Sequence, residues 1–226
     1  MYIIGKYTTS DLMSDLICDN YSILRVIDRY GIPIGFAEKT IEDVCRDNNV
    51  NAETFVEIVN LLLRLNDNTY KPSLDNLEVN DIVRYLKVSH EYYINQKLPS
   101  IREKLVAVLS DDKISKLILK YYDDYIIHTQ QHFFYEEDNV FPYIESLTEG
   151  KHSEEYFISQ FSEKHDHIEE PLTEFKNIII KYYSGNDHHE IIEVIYDILS
   201  CADDLSAHNQ IEDRLLVPLI RKIEQQ

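Results

Sequence analysis

Apolar residues recur at spacings of three and four along almost the whole chain, a pattern that predicts an all-α protein. Up to about Leu65 the amphipathic stretches are short, and each has a residue suited to a helix boundary. Thr40 and Asn51 are expected N-caps, and Gly31 is expected to end the second stretch. The pattern therefore predicts a small helical domain at residues 1–66.

A polar segment at residues 67–78 contains Pro72 and is the best candidate for a linker. Four longer amphipathic stretches follow it, at roughly Val79–Leu109, Asp112–Ile144, Ser153–Tyr183 and Asp187–Ile223. A helix of about 30 residues is about 45 Å long. Because short connections make successive helices antiparallel, we expect residues 79–226 to form an up-down-up-down four-helix bundle.

Two of these long stretches carry the same phrase. Residues 132–144 read HFFYEEDNVFPYI, and residues 208–220 read HNQIEDRLLVPLI. Each has a His, a Glu four residues later, a second acid, and then an apolar-Pro-apolar-Ile ending. Residues four apart lie on one face of a helix, and the second and fourth helices of the expected bundle run in the same direction. The pairs His132–Glu136 and His208–Glu212 can therefore meet at one depth in the core.

The other two long stretches supply one histidine each, His90 and His165. The spacing from His90 to His132 is 42 residues and that from His165 to His208 is 43, which indicates a duplicated two-helix unit. Four histidines and two carboxylates converging from four helices suit iron, manganese or zinc, and bridging carboxylates favour a pair of metal ions. A buried carboxylate would be costly without a cation, so metal binding also explains why Glu136 and Glu212 can lie in a core.

Several residues near these six are weaker candidates for metal ligands. His128 lies four residues before His132, and Glu169 lies four after His165, so each could be an additional ligand or a hydrogen-bond partner of one. His167 is about 200° around a helix from His165 and is expected to face solvent or a neighbour. The remaining histidines, His152, His188 and His189, are expected at the surface. A single His-xxx-Glu pair usually means only a local hydrogen bond, so the matched set carries the prediction.

Charge and composition limit the kinds of molecule that this protein is expected to bind. The chain has 41 Asp and Glu against 22 Lys and Arg, and its formal charge of −19 would repel nucleic acid and anionic lipid. This acidity mainly indicates solvated helix faces, although it would also suit a basic protein partner. The three cysteines form no CxxC pair, which favours a reducing cytosol. No apolar run approaches the roughly 20 residues of a membrane span, and no export signal is recognised, so we expect a cytoplasmic protein.

The set His90, His132-xxx-Glu136, His165 and His208-xxx-Glu212 resembles the haemerythrin-like HHE domain of the di-iron proteins that repair iron-sulfur clusters, also described as regulators of cell morphogenesis and nitric oxide signalling. The phrases at 132–144 and 208–220 and the EKHD around His165 carry this resemblance. It implies two irons, with the four histidines as terminal ligands and the two glutamates as bridges. The resemblance covers nearly the whole chain, because YSILRVIDRYGIP and TIEDVCRDNNVNAETFVEIVN resemble the family's N-terminal domain.

One departure from that family concerns thiols. The family typically has adjacent cysteines just after the turn that reads RYG here, whereas this chain continues GIPIGF at residues 31–36. A thiol redox or metal-transfer role is therefore not expected of this N-terminal domain. Cys18 and Cys45 lie in amphipathic stretches, and we expect both to act as small core residues.

Two functions follow as hypotheses. One is a stress-response protein that reduces nitric oxide or donates iron to damaged iron-sulfur proteins at a carboxylate-bridged di-iron centre. The other is a haemerythrin-like sensor or store for O2, NO or iron, without turnover. A purely structural bundle would leave the six residues unexplained, whereas both an enzyme and a reversible binding module fit the ligand pattern.

Overall fold

The structure is a computed structural model that describes residues 6–65, 67, 69–151, 156–163, 165–185 and 188–225. Helices dominate these ranges, and the β contact found among them is an isolated bridge between Leu12 and Thr40. The predicted all-α fold is confirmed. Within the same ranges, every helix is too short or too polar to cross a lipid bilayer.

The N-terminal helices are short, as predicted. They are α1 (Met13–Asp19), a 3-10 turn (Tyr21–Ile23), α2 (Leu24–Arg29), α3 (Ile41–Asp47) and α4 (Ala52–Leu62). The Thr40 hydroxyl accepts the N–H of Asp43 at 3.1 Å, and the Asn51 side chain accepts the N–H of Thr54 at 2.8 Å. Both predicted N-caps are therefore confirmed. Gly31 has φ of +65°, a left-handed conformation that suits a residue just past a helix end.

Most of the remaining helices are longer, and a wider turn joins three pairs of them. They are α5 (Val79–Tyr92), α6 (Leu98–Val108), α7 (Lys113–Tyr135), α8 (Phe141–Thr148), α9 (Ile158–Ser162), α10 (Glu169–Tyr182), α11 (His188–Ile211) and α12 (Val217–Glu224). Five-residue π-helical segments join three pairs of them: π1 (Tyr93–Lys97), π2 (Glu136–Val140) and π3 (Glu212–Leu216).

Each π segment ends two residues before a proline, namely Pro99, Pro142 or Pro218. A proline inside a helix has no N–H to donate, and its ring clashes with the carbonyl four residues earlier. A turn widened by one residue relieves this clash without ending the helix, and such π segments often occur at functional sites. The sequence analysis predicted uninterrupted α-helix in these stretches, although the prolines could have indicated the wider turns.

The third long stretch is not one helix, so that prediction is wrong. Helix α9 ends at Ser162 and α10 begins at Glu169, and His165 lies in a non-helical segment between them. Pro171 explains the break, because it is tolerated in the first turn of α10 but would clash with the His167 carbonyl if the helix started earlier. Ser153 and Asp187, where two stretches are predicted to begin, lie outside the described residues.

The described residues fall into two compact units. The first is drawn from Met1–Ser89, Tyr143–Ser162 and Gln210–Gln226, and the second from His90–Pro142 and Glu163–Asn209. The division into an N-terminal domain at residues 1–66, a linker at 67–78 and a bundle at 79–226 stays a prediction.

In the first unit, the predicted linker is held by α4. The buried Glu57 carboxylate accepts hydrogen bonds from the Tyr70 hydroxyl at 2.5 Å and the Ser73 N–H at 3.0 Å. The Thr54 hydroxyl accepts the N–H of Glu78 at 2.8 Å. These bonds pair buried polar groups that would otherwise be costly, so this segment packs as part of the unit.

In the second unit, the first two long stretches run antiparallel, as predicted. His90 stacks on Phe133, and the Leu98 carbonyl accepts a hydrogen bond from Tyr122. Residue numbers therefore rise along the first stretch where they fall along the second. The core is apolar and aromatic and draws on all four long stretches, through residues that include Tyr93, Leu98, Ile101, Tyr122, Phe133, Leu172, Phe175, Ile179, Val194, Ile198 and Leu205.

The cysteines follow the sequence prediction only in part. Cys45 is buried, as expected, and burial raises the pKa of its thiol to about 12. Cys18 is exposed, so its assignment to the core is wrong. Met13 and Leu16 form the buried face of α1, and Cys18 is about 200° around the helix from Leu16.

Candidate metal centre

Five described segments carry the predicted ligands of the second unit, and the sixth predicted ligand, Glu212, belongs to the first unit. His90 lies near the end of α5, His132 in the last turn of α7, and His208 in the last turn of α11. Glu136 is the first residue of π2, and it is completely buried. Of the three helical histidines, His90 and His208 are buried, and 9% of the His132 side chain is exposed.

His90, His208 and Glu136 converge on one point. The Nε2 atom of His90 lies 3.2 Å from Nε2 of His208 and 3.0 Å from Oε2 of Glu136. Two imidazole nitrogens and a carboxylate oxygen are all electron-pair donors when the histidines are neutral at these atoms. Such a convergence in a buried place is what a cation would stabilise.

The other oxygen of Glu136 faces a second pair of histidines. Its Oε1 atom lies 2.9 Å from Nε2 of His132 and 3.9 Å from Nε2 of His165. The two imidazole rings are stacked with centroids 5.4 Å apart. His165 is carried by the non-helical segment before α10, yet only 2% of its side chain is exposed. Glu136 thus stands between two groups of histidines, with one oxygen toward each.

These residues make two groups that could hold a metal ion. His132, Glu136 and His165 form one, and their candidate ligand atoms lie within 4.8 Å of one another. The same limit holds for His90, Glu136 and His208 in the second unit. Glu212 lies one turn after His208 along the chain. Glu212 is completely buried and opens π3, just as Glu136 opens π2.

An outer carboxylate holds His90 in place. Oε1 of Glu137 lies 2.9 Å from Nδ1 of His90, so Nδ1 donates to Glu137 and leaves the Nε2 lone pair for a cation. The His90 ring also stacks on Phe133 with centroids 4.1 Å apart. The sequence reading did not assign this role to Glu137. The second acid in each repeated phrase could have pointed to Glu137. Its partner could not be predicted from the spacing, because His90 is 47 residues away in the sequence.

The weaker candidates lie outside these two groups. His128 is half-exposed, and its Nε2 lies 3.8 Å from Oδ2 of Asp166. Glu169 accepts a hydrogen bond from the Asn209 amide at 2.5 Å. His167 is half-exposed, and His188 and His189 are exposed, as expected, whereas His152 lies outside the described residues.

The donor set fits a pair of cations with mixed nitrogen and oxygen ligation. Glu136 is completely buried, and imidazole nitrogens of His90 and His132, which can also donate electron pairs, lie 3.0 and 2.9 Å from its carboxylate oxygens. A bound cation would neutralise the carboxylate and satisfy the histidines together. The residues present therefore suit a metal centre better than a hydrogen-bonded core network.

Comparison with known proteins agrees with this geometry. The family model described as the Hemerythrin HHE cation binding domain matches residues 81–220. No curated protein matches the chain. Because the family match covers more than half of the 226 residues, the chain belongs to the haemerythrin family and carries its HHE cation-binding domain.

Proposed function

We propose that this member of the haemerythrin family binds two iron ions and acts on a diatomic ligand, NO or O2, in the response to nitrosative or oxidative stress. His90 and His208 would hold one iron, and His132 and His165 the other. Glu136 and Glu212 would bridge the pair.

The observation that supports a pair most strongly is the position of Glu136. Its two oxygens face different histidine groups, with His90 on one side and His132 on the other. A carboxylate that served a single cation would turn both oxygens, or one, to the same ligand group. A bridging carboxylate requires this two-sided arrangement.

Iron supplies a change of oxidation state and open coordination positions for a small molecule. The protein residues supply orientation and shielding. Phe133 and Phe141 lie against the His90 ring, with centroid distances of 4.1 and 5.6 Å, and keep water from that side. Glu137 fixes the tautomer of His90 by accepting a hydrogen bond from its Nδ1–H.

The choice of iron, and of iron-sulfur cluster repair as the biological role, rests on the resemblance of the repeated His-xxx-Glu phrases to the repair family. In that role, the protein would donate iron to damaged iron-sulfur proteins or remove NO by reducing it. The alternative is a sensor or store that binds O2, NO or iron without turnover.

Metal analysis and Mössbauer spectroscopy of protein purified without oxygen test the first part of the proposal. Two irons per chain with the spectrum of a coupled pair support it, whereas another metal or a single iron contradicts it. Anaerobic stopped-flow with NO and a reductant then separates the alternatives. Continued release of N2O supports an enzyme, and a stable nitrosyl adduct supports the sensor or store.

A further inference from the structure

A cavity of about 290 Å³ in the second unit reaches one of the candidate ligands. It is lined by His128, Gln131, His132, Tyr135 and Asp166. His132 is the least buried of the candidate ligands in this unit: 9% of its side chain is exposed, against 2% for the side chain of His165. The cavity therefore meets the candidate metal centre on the side of Glu136 that His132 occupies.

Aromatic rings cover the histidine group on the other side of Glu136. His90 and His208 are both buried. The His90 ring lies against the rings of Phe133 and Phe141, with centroids 4.1 and 5.6 Å away. A hydrated cation has no polar partner in such a wall, and losing its water there would be costly. This difference favours the His132 side as the approach for an ion from solvent.

His128 and Asp166 lie in this cavity beside the two histidines of that group. His128 is one turn before His132 on α7, and Asp166 directly follows His165. Nε2 of His128 lies 3.8 Å from Oδ2 of Asp166, which is too far for a hydrogen bond. Two ligand atoms that are each about 2.1 Å from one cation are themselves about 3 to 4.2 Å apart. The gap between the two side chains therefore suits a divalent cation.

We propose that this cavity is the route by which a divalent cation enters and leaves the metal centre, and that His128 and Asp166 hold the cation transiently on its way. This inference rests on the proposed metal centre. One imidazole nitrogen and one carboxylate oxygen suit Fe²⁺, Co²⁺ and Zn²⁺, and two protein ligands hold such an ion only weakly. A weak site is what a route requires, because the ion must move on to His132, which is about 6 Å further along α7.

Stopped-flow uptake of Co²⁺ by the metal-free full-length protein tests the transient site. At low Co²⁺ concentration, His128→Ala and Asp166→Asn should each slow uptake roughly three- to tenfold, because each removes a group that attracts and holds the entering cation. The number of ions bound at equilibrium should not change, since neither residue is among the six predicted ligands. Equal uptake rates in the wild type and in both variants would overturn the proposal.

Two variants provide matched controls for this measurement. His167→Ala removes an imidazole that is 47% exposed, close to the 50% of His128, but does not line the cavity. Asp111→Asn removes the same charge as Asp166→Asn from an exposed carboxylate that pairs with Lys116. Both controls should take up Co²⁺ at the wild-type rate. A slowing in the controls equal to that in the test variants would attribute the effect to overall charge and refute the transient site.

Narrowing the cavity tests the route independently. Gln131 is exposed at the cavity wall, so Gln131→Trp should slow both the uptake of Co²⁺ and its removal by a chelator, each by at least about threefold, because the indole must move aside. Leu117→Trp is the control, since Leu117 is exposed on α7 about 21 Å nearer its start, and it should change neither rate. Unchanged rates in Gln131→Trp would refute the route.

The same experiments separate this inference from the proposed metal centre. A metal-free wild type that binds no Co²⁺ would contradict the centre and the route together. Two ions bound at equal rates in every variant would contradict the route alone and leave the centre intact.

Discussion

The Nε2 atoms of His90 and His208 lie 3.2 Å apart in a buried position, while the other ring nitrogen of His90 faces Glu137 at 2.9 Å. Since Nδ1–H of a neutral His90 donates a hydrogen bond to Glu137, its Nε2 carries a lone pair. That lone pair points toward His208 and toward the Glu136 carboxylate. The arrangement is explained by a cation between these atoms, and it leads directly to predictions about metal content.

Replacing a candidate ligand should reduce the metal content. We expect His132→Ala to lower iron from two to one or none per chain, and Glu212→Ala to have the same effect, because each substitution removes a predicted ligand atom. His167→Ala is the matched control and should keep two irons, since its side chain is 47% exposed. The measurement is metal analysis of anaerobically purified protein. Two irons retained in both ligand variants would rule out this assignment.

The outer hydrogen bond from His90 to Glu137 should tune affinity without being required for occupancy. Glu137→Gln removes the negative charge that orients His90 and raises its basicity, so metal affinity should fall roughly 10- to 100-fold while two ions still bind at saturation. Competition with a chelator of known affinity measures the change. Asp138→Asn alters the next residue, which is exposed, and should leave the affinity within about twofold. Equal affinities for the wild type and Glu137→Gln would show that this hydrogen bond does not support the centre.

Removing the metal should leave the helices formed but lower the melting temperature. At a free metal concentration 100 times Kd, binding to the folded state alone adds about 2.7 kcal/mol, or roughly 5–10 °C for a chain of this size. Circular dichroism with and without a chelator measures the shift. A Glu136→Ala variant, which lacks the shared carboxylate, should show little or no such shift. Identical curves for the loaded and metal-free wild type would argue against a core site.

Thiol labelling should distinguish the cysteines. In the native protein we expect a thiol reagent to modify Cys18 rapidly and to leave Cys45 and Cys201 unmodified, because only Cys18 is exposed. The Cys45 thiol should stay unreactive even at pH 9, since burial raises its pKa to about 12 and the thiol stays protonated. Mass spectrometry counts the labels. Rapid labelling of a Cys18→Ser variant would contradict the burial of the other two.

The ion pairs of Asp197 should make a small, pH-dependent contribution to stability. Burial alone would raise the pKa of Asp197, but hydrogen bonds from Lys104 and Lys97 outweigh it and hold the pKa below its ordinary value. A lowered folded-state pKa means that the stabilisation is complete above the unfolded-state pKa, near 3.9, and is lost as the pH falls through the folded-state value.

Asp197→Asn should therefore lower Tm at pH 7 by a few degrees, and the difference should shrink as the pH falls below the unfolded-state pKa. Thermal melts across this pH range provide the measurement. Asp124→Asn breaks a much more exposed pair with Lys120 and should shift Tm by less than about 1 °C. A difference for Asp197→Asn that grew as the pH fell would contradict the assigned pKa direction.

The sequence by itself determined the helical periodicity and the chemistry it carries. A spacing of four puts His132 beside Glu136 whatever the tertiary fold, because a helix has 3.6 residues per turn. The N-caps at Thr40 and Asn51 are local for the same reason: the side chain bonds a backbone N–H only three residues away. The all-α fold followed from these short-range rules.

The tertiary structure decided everything that depends on distant residues. Glu137 meets His90 across 47 positions, and helix spacing contains no information about that pairing. It also decided that Cys18 faces outward, because burial depends on what packs against α1. His165 depends on both sequence and tertiary structure. The sequence predicted it as a ligand, but it approaches Glu136 from a non-helical segment that Pro171 helps to impose. Local hydrogen bonding fixes a helix face, whereas long-range packing determines which faces meet and which side chains complete one another.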